Sequence, residues 1–305
     1  MPEGPEIRRA ADEVERAIVR EPVQDIFFAF EHLKPYEDKL RGDRILNVQT
    51  RGKGMLIRFA CQLNIYSHNQ LYGIWFVRKA YDFPKTKRQL RLAIHNSQKS
   101  ALLYSASDIE VLREDELLQH PFWSQVGPDV LDSAVTVEQV AARFLDPRFH
   151  RRGLMSLLLD QKFLCGLGNY LRSEVLFVAG VHPSLRPIDC TPERIACTPE
   201  QITGLAEAAI ALSRQSYTTG GITNDLNLVT QLKQQGLSRG QYRFRVFNRD
   251  GQPCWVCQTP IEKDTLGGRR IYYCPVCQSK GVRPVVSPVF LSSAPDEMPE
   301  SPAEA

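Results

Sequence analysis

The sequence predicts a multidomain α+β fold: an N-terminal β-sandwich carrying one N-terminal helix, then a helical domain, then a small four-cysteine module. Three observations carry this expectation. Short runs rich in β-branched and aromatic residues recur over the first hundred positions. Segments of helical periodicity with few strand formers follow between residues 136 and 215. Two Cys-x-x-Cys pairs then stand close together near the end of the ordered sequence. A chain of 305 residues is long enough for two or three such domains.

Taken in order, residues 5–19 form an amphipathic helix with Ile7, Ala10, Ala11, Val14, Ala17 and Ile18 at helical spacing. Strands are expected at 23–30, 44–50, 54–59, 71–77, 90–95 and 100–104. The turn Gly127-Pro128-Asp129 closes a first domain over 1–128, with 129–135 as a linker. Segments 136–145, 152–162, 169–179 and 199–215 read as helices, the first opened by a Thr136–Gln139 capping box. They define a helical domain over 136–225. Residues 216–240 are polar and bracketed by glycines, a loop with room for one short helix, and 226–241 are its variable part. Residues 242–247 alternate apolar and basic, as a strand does, and open a module at 242–278. From 279 to 305 the chain is rich in Pro, Ser and acid and is expected to be a disordered acidic tail.

No apolar run is long enough to span a membrane and no signal peptide is visible, which points to the cytoplasm. The net charge of +3 conceals an asymmetry: residues 281–305 carry Arg283 against four acids, so the remainder is at +6. A mildly basic body suits a polyanionic partner without requiring one. Of the eight cysteines, Cys61 and Cys165 lie in apolar sequence as core thiols, and a Cys190–Cys197 pair is left open.

Cys254, Cys257, Cys274 and Cys277 have the spacing of a structural Zn²⁺ site, four thiolates in a closed tetrahedron. Between the pairs, the hairpin tip Lys263–Arg270 offers two glycines and two arginines, either a phosphate contact or a solvated basic turn. Removal of Met1 would expose the secondary amine of Pro2. With an α-amino pKa of about 8, roughly a tenth of it is free base at neutral pH, able to form a Schiff base with a sugar aldehyde. Glu3 stands beside it as a proton donor or acceptor. Pro2-Glu3-Gly4-Pro5-Glu6 reads equally as a plain helix start. Gly166-Leu167-Gly168-Asn169 before a helix is a phosphate-binding turn or an ordinary helix connection. Arg51-Gly52-Lys53-Gly54 is a charged hairpin turn, and Ser67–Gly73 a loop whose Leu71 could enter a base stack.

Together and in this order, these motifs resemble the formamidopyrimidine-DNA glycosylase/endonuclease VIII family over roughly residues 1–278. MPEGPEIRRAAD, LKPY, TRGK, YSHNQLYG, LLYSASDIE, VGPDVLD, GLGNYLR and FNRDGQPC look like its endonuclease VIII branch. The resemblance implies a helix–two-turn–helix domain, a C-terminal zinc finger with one structural Zn²⁺, and a bifunctional glycosylase and abasic-site lyase. The implied substrate is double-stranded DNA containing oxidised bases, mainly pyrimidines, or abasic sites, handled by a monomer through β,δ-elimination.

By residue, the resemblance implies that Pro2 attacks C1′, that Glu3 transfers protons, and that Lys53 serves the first elimination. Arg269 would grip phosphate at the lesion and serve the second elimination, with Asn169 on another phosphate. Gln70, Leu71 and Tyr72 would fill the gap left by a flipped nucleotide, and Glu6 would neighbour the reaction centre. The chain departs from the pattern at Gln125, where the branch has a DNA-binding Arg, so that contact is weakened or made by a neighbour. Regions 183–200 and 216–240 are longer than expected, and the acidic tail is additional. A purine-preferring enzyme, a catalytically dead damage sensor and a plain zinc-ribbon adaptor are the other readings.

Overall fold

The computed structural model describes residues 2–190 and 199–279. The predicted disorder of the tail (from residue 280 on) and the open Cys190–Cys197 pair (at Cys197) fall outside the described residues. The chain divides into two compact units, Met1–Val135 with Asp160–Gly168, and Thr136–Leu159 with Asn169–Ala305.

The first unit opens with α1 (Gly4–Ile18). Glu3 is its extended N-cap, the Glu6 side chain accepts the Glu3 N–H at 3.0 Å, and Pro5 sits in the first turn where no intrahelical donor is needed. Ile7, Ala11, Val14, Ala17 and Ile18 form the buried stripe. Next come β1 (Asp25–Phe28), α2 (Pro35–Leu40), β2 (Ile45–Arg51), β3 (Gly54–Phe59), β4 (Leu63–His68), β5 (Ile74–Lys79), β6 (Leu90–His95), β7 (Lys99–Tyr104), β8 (Asp108–Arg113) and α3 (Glu114–Gln119).

The strands form two four-stranded antiparallel sheets, in the orders β1-β6-β7-β5 and β2-β3-β4-β8. One apolar cluster draws Ile7, Val14 and Ile18 of α1 together with Phe28, Ile57, Phe59, Ile65, Leu92 and Leu103 of the strands. Each such side chain contributes about 1.5–3 kcal/mol on burial. The expected sandwich with one N-terminal helix is therefore present. The 71–77 strand starts only at Ile74, because Gln70 takes a positive φ of 49° and the chain turns through Gly73. β4 and β8 were not expected from the sequence.

The second unit contains α4 (Val137–Leu145), α5 (Leu154–Leu157), α6 (Asn169–Val178), α7 (Pro199–Thr219), α8 (Leu226–Gln234), α9 (Arg239–Tyr242), β9 (Glu262–Leu266) and β10 (Arg269–Tyr273). The Thr136–Gln139 capping box forms at α4, each side chain accepting the other's backbone N–H at 3.3 and 3.1 Å. The helix expected over 152–162 shortens to α5. Leu158 caps it, and two residues on Asp160 accepts the Lys162 N–H at 2.9 Å in an Asx turn.

The loop read over 216–240 is largely helical. Val229 and Leu232 of α8 are buried in a small cluster with Ile222 and Tyr242. Residues 242–247 are not a strand, for a reason given below. Among the described residues no helix is long and apolar enough to cross a membrane.

Candidate active site

The N-terminus and the Arg51–Gly54 turn close onto the same four residues, Cys165 to Gly168. Gly4 N–H donates to the Gly166 carbonyl at 2.8 Å. A Cβ on Gly168 would lie 2.3 Å from Glu3 Cδ and 2.4 Å from its Oε1, so any larger residue there would have to displace the Glu3 carboxyl. A Cβ on Gly52, already at φ +58°, would lie 2.8 Å from Cys165 Cβ. Glu3 is thus 2% exposed, its carboxyl lodged at the N-terminal end of α1 where the helix dipole favours negative charge. Pro2 precedes it and is half-buried.

The Arg51–Gly54 turn joins β2 to β3 and is held rigidly. Gly52 N–H donates to Asp129 Oδ2 at 2.7 Å, and Leu131 N–H to Oδ1 at 2.9 Å. Burial pushes the Asp129 carboxyl up, and the two backbone donors only partly offset this. Arg51 Nη1 donates to the Trp123 carbonyl at 2.7 Å, which makes Arg51 a structural strut. Lys53, between them, is 8% exposed.

His68, at the end of β4, was not singled out in the sequence. Burial, with the charge of Lys53 adding to it, pushes its pKa down to about 4. A neutral ring fits its bonding: Nδ1 accepts the Gln70 N–H at 3.1 Å, and Phe122 stands edge-on at 5.4 Å. His68 therefore anchors the loop that follows. Gln70 is fixed again by Ser107 Oγ at 2.7 Å, and Arg88 Nη1 donates to the Tyr72 carbonyl at 2.6 Å. The loop projects Leu71, 50% exposed, and Tyr72, 67% exposed.

Gln125 is exposed, and its Oε1 accepts from Lys162 Nζ at 2.5 Å. A cation thus stands beside Gln125 from 37 residues along the chain, a contact invisible to local sequence reading.

In the second unit Asn169 starts α6, and its Oδ1 accepts from Arg172 Nη2 at 2.7 Å. Arg172 is 1% exposed and also donates to the carbonyls of Met155 and Arg270, both at 2.7 Å. One buried guanidinium therefore ties Asn169 to the β9–β10 hairpin. Arg269 is exposed at that hairpin's tip, beside Gly267 and Gly268 with φ of +56° and +75°. Glu174, fully buried, accepts the backbone N–H groups of Arg245, Val246 and Phe247 at 2.8, 2.9 and 2.9 Å, and the Thr223 hydroxyl at 2.8 Å. Three consecutive donors bound to one carboxylate cannot join a sheet ladder, which is why 242–247 is not a strand.

Cys254, Cys257, Cys274 and Cys277 bring their sulfurs within 4.8 Å of one another, a group able to hold a metal ion. Sγ–Sγ separations are 3.9 Å for Cys254–Cys277 and 3.4 Å for Cys257–Cys274. These are too long for disulfides and near the edge, about 3.8 Å, of a tetrahedron with metal–sulfur bonds of about 2.3 Å. Val256 and Cys277 N–H groups donate to Cys254 and Cys274 Sγ, both at 3.4 Å, as in thiolate sites.

Two family models match the chain: the formamidopyrimidine-DNA glycosylase N-terminal domain over residues 1–106 and the formamidopyrimidine-DNA glycosylase H2TH domain over 126–220. Proteins named Endonuclease 8 from Salmonella schwarzengrund and Shigella sonnei are 47% and 48% identical over 278 residues, 91% of this chain and 100% of each relative. Among solved structures, the Lactococcus lactis formamidopyrimidine-DNA glycosylase bound to DNA containing an abasic site superposes with a TM-score of 0.73 at 20% identity, over 91% of this chain and all of that one. The Lactococcus lactis enzyme with DNA containing an oxidised pyrimidine gives 0.74 at 20% identity, over 92% of this chain and all of that one.

Proposed function

The chain belongs to the formamidopyrimidine-DNA glycosylase/endonuclease 8 family of base-excision-repair DNA glycosylases that act on oxidised bases, and on that premise we propose how its residues divide the work. The observation that supports the proposal is the convergence of Glu3 and the Arg51–Gly54 turn on Cys165–Gly168, with Pro2 directly before the buried Glu3 carboxyl.

Once Met1 is removed, the Pro2 nitrogen needs no base to activate it, since about a tenth is unprotonated near pH 7. Its lone pair forms the N–C1′ bond of the damaged nucleotide. The C1′–base bond breaks, and the base leaves with the electron pair and takes up a proton. Glu3 delivers a proton to O4′ as the sugar ring opens to an iminium, a step for which a buried, positioned carboxyl suits general acid–base work. The iminium acidifies the C2′ proton. Its loss expels the 3′ phosphate, with Lys53 as the proton donor to the departing oxygen. A second elimination expels the 5′ phosphate while Arg269 grips it. Water then releases the enzyme.

Asn169 has its carbonyl oxygen engaged by Arg172, so the amide nitrogen is the end offered to a phosphate. A base inside the duplex is out of reach, so the nucleotide must be flipped at a cost of a few kcal/mol. Gln70, Leu71 and Tyr72 fill the vacancy, and Lys162 with Gln125 supplies a cationic contact nearby. The four cysteines hold one structural Zn²⁺, a closed shell with no position for substrate. In so small a module it contributes on the order of 10 kcal/mol to folding.

We read the substrate as double-stranded DNA with oxidised pyrimidines or abasic sites, bound by a monomer in the cytoplasm. The test is a duplex oligonucleotide carrying one dihydrouracil. Strand cleavage that leaves a phosphate on both sides of the gap is expected. Base release without cleavage, or a product stopped at the first elimination, would overturn the reading.

A further inference from the structure

The connection that crosses from β5 past β7 to β6, with the strand ends that flank it, carries a cationic row that the proposed chemistry does not use. Residues 78–91 hold Arg78, Lys79, Lys85, Lys87, Arg88 and Arg91 against a single acid, Asp82. None of the six forms an ion pair with a carboxylate among the described residues, and all but Arg91 are exposed. Elsewhere in this unit arginines do pair, as the half-buried Arg58 does with Glu114 at 2.7 Å and the exposed Arg41 with Asp38 at 2.8 Å. A row of like charges left unneutralised costs self-repulsion, and an anionic partner removes that cost.

The connection is held in place by packing. Tyr81 stacks on His95 with ring centroids 4.4 Å apart, Phe83 meets the same ring edge-on at 5.8 Å, and the Tyr81 N–H donates to Ser100 Oγ at 2.9 Å. Its far end bends back to the projecting loop through the Arg88–Tyr72 bond. Between the two lies a concavity of about 610 Å³ lined by Tyr72, Lys87, Arg88, Arg91 and Ser105. A small-molecule pocket has mostly apolar walls with few polar groups, whereas this one has three cations in its wall.

We propose that the β5–β6 connection is a DNA-backbone contact, taking phosphodiesters of the duplex alongside the loop that carries Leu71 and Tyr72. The proposal rests on the reading of that loop as the element inserted into the stack. It adds a phosphate grip to the first unit, independent of Asn169 and Arg269 on the second. Such contacts position the protein without reading sequence or damage.

The test is a Lys85→Gln/Lys87→Gln double variant of the full chain, both side chains being exposed and outside the chemistry. Binding to a duplex with a tetrahydrofuran abasic analogue, and to the same duplex undamaged, is titrated over a range of NaCl concentrations. Each lost phosphate contact lowers the slope of log affinity against log salt by about 0.9, so a fall of roughly two units and a tenfold or greater loss of affinity near 0.15 M salt are expected on both duplexes. An unchanged slope overturns the proposal. So does a loss confined to the damaged duplex, since that would trace to a disturbed insertion loop. Affinity is read without turnover, so a failure of the Pro2 chemistry would leave this measurement valid.

Discussion

Gly168 and Glu3 are in such close contact that a single methyl group at 168 would fall 2.3 Å from the Glu3 carboxyl carbon. The glycine of the Gly166–Asn169 turn thus has a role besides turning the chain. It makes the space in which the buried Glu3 carboxyl sits, one residue after Pro2.

Gly168→Ala should therefore displace Glu3 while adding overpacking of about 1–3 kcal/mol. Single-turnover lyase rates on abasic DNA are expected to fall by roughly a hundredfold or more, the usual worth of a positioned acid–base group. Near-normal rates from a folded Gly168→Ala protein would show that Glu3 need not be held there.

His68 sets an acid limit. Its pKa is about 4 in the fold against an unfolded value near 6.5, so the folded state favours the neutral ring. The unfolded chain binds the extra proton first as pH falls. The associated stability is complete above pH 6.5 and lost progressively down to about pH 4, by about 3 kcal/mol in all. His68→Asn keeps an acceptor for the Gln70 N–H and removes the titration. Urea unfolding between pH 4.5 and 7 should show a flatter acid limb in the variant, and parallel curves would contradict the assignment.

Arg172 joins Asn169 to the hairpin that carries Arg269. Arg172→Met should leave the Met155 and Arg270 carbonyls without their donor, at about 1–3 kcal/mol each. Affinity for abasic-analogue DNA is expected to drop more than tenfold with metal content unchanged, and unaltered affinity would remove Arg172 from the positioning role.

Metal analysis of the purified protein should find one zinc per chain. Cys254→Ser or Cys274→Ser should lose it and, by unfolding the finger, abolish DNA binding. Full binding by zinc-free protein would refute a structural metal.

Much of this fold was legible because its signals are local. The stripe of α1 and the Thr136–Gln139 cap are set by neighbours three and four residues apart. β4 escaped because both its faces are buried: Asn64, Ile65, Tyr66 and Ser67 are all 2% exposed or less, so no alternation marks it. The false strand at 242–247 alternates from Tyr242 to Val246, but the backbone donors of 245–247 go to Glu174, some seventy residues earlier. Glycines showed a turn at 166–168, whereas their contact with Glu3 depends on a fold that brings residue 3 to residue 168. Lys162 beside Gln125 and His68 beside Lys53 belong to the same class, each pair made by tertiary placement.

The proposed mechanism assigns the Pro2 nitrogen as the nucleophile. The most direct measurement is borohydride trapping of the purified protein on abasic-site DNA, followed by mass-spectrometric mapping of the linked peptide. A covalent complex joined at residue 2, abolished in Pro2→Gly and in a protein that retains extra residues ahead of Pro2, is the predicted result. A wild-type protein that cannot be trapped, or a link mapped to a lysine that persists in Pro2→Gly, would contradict it.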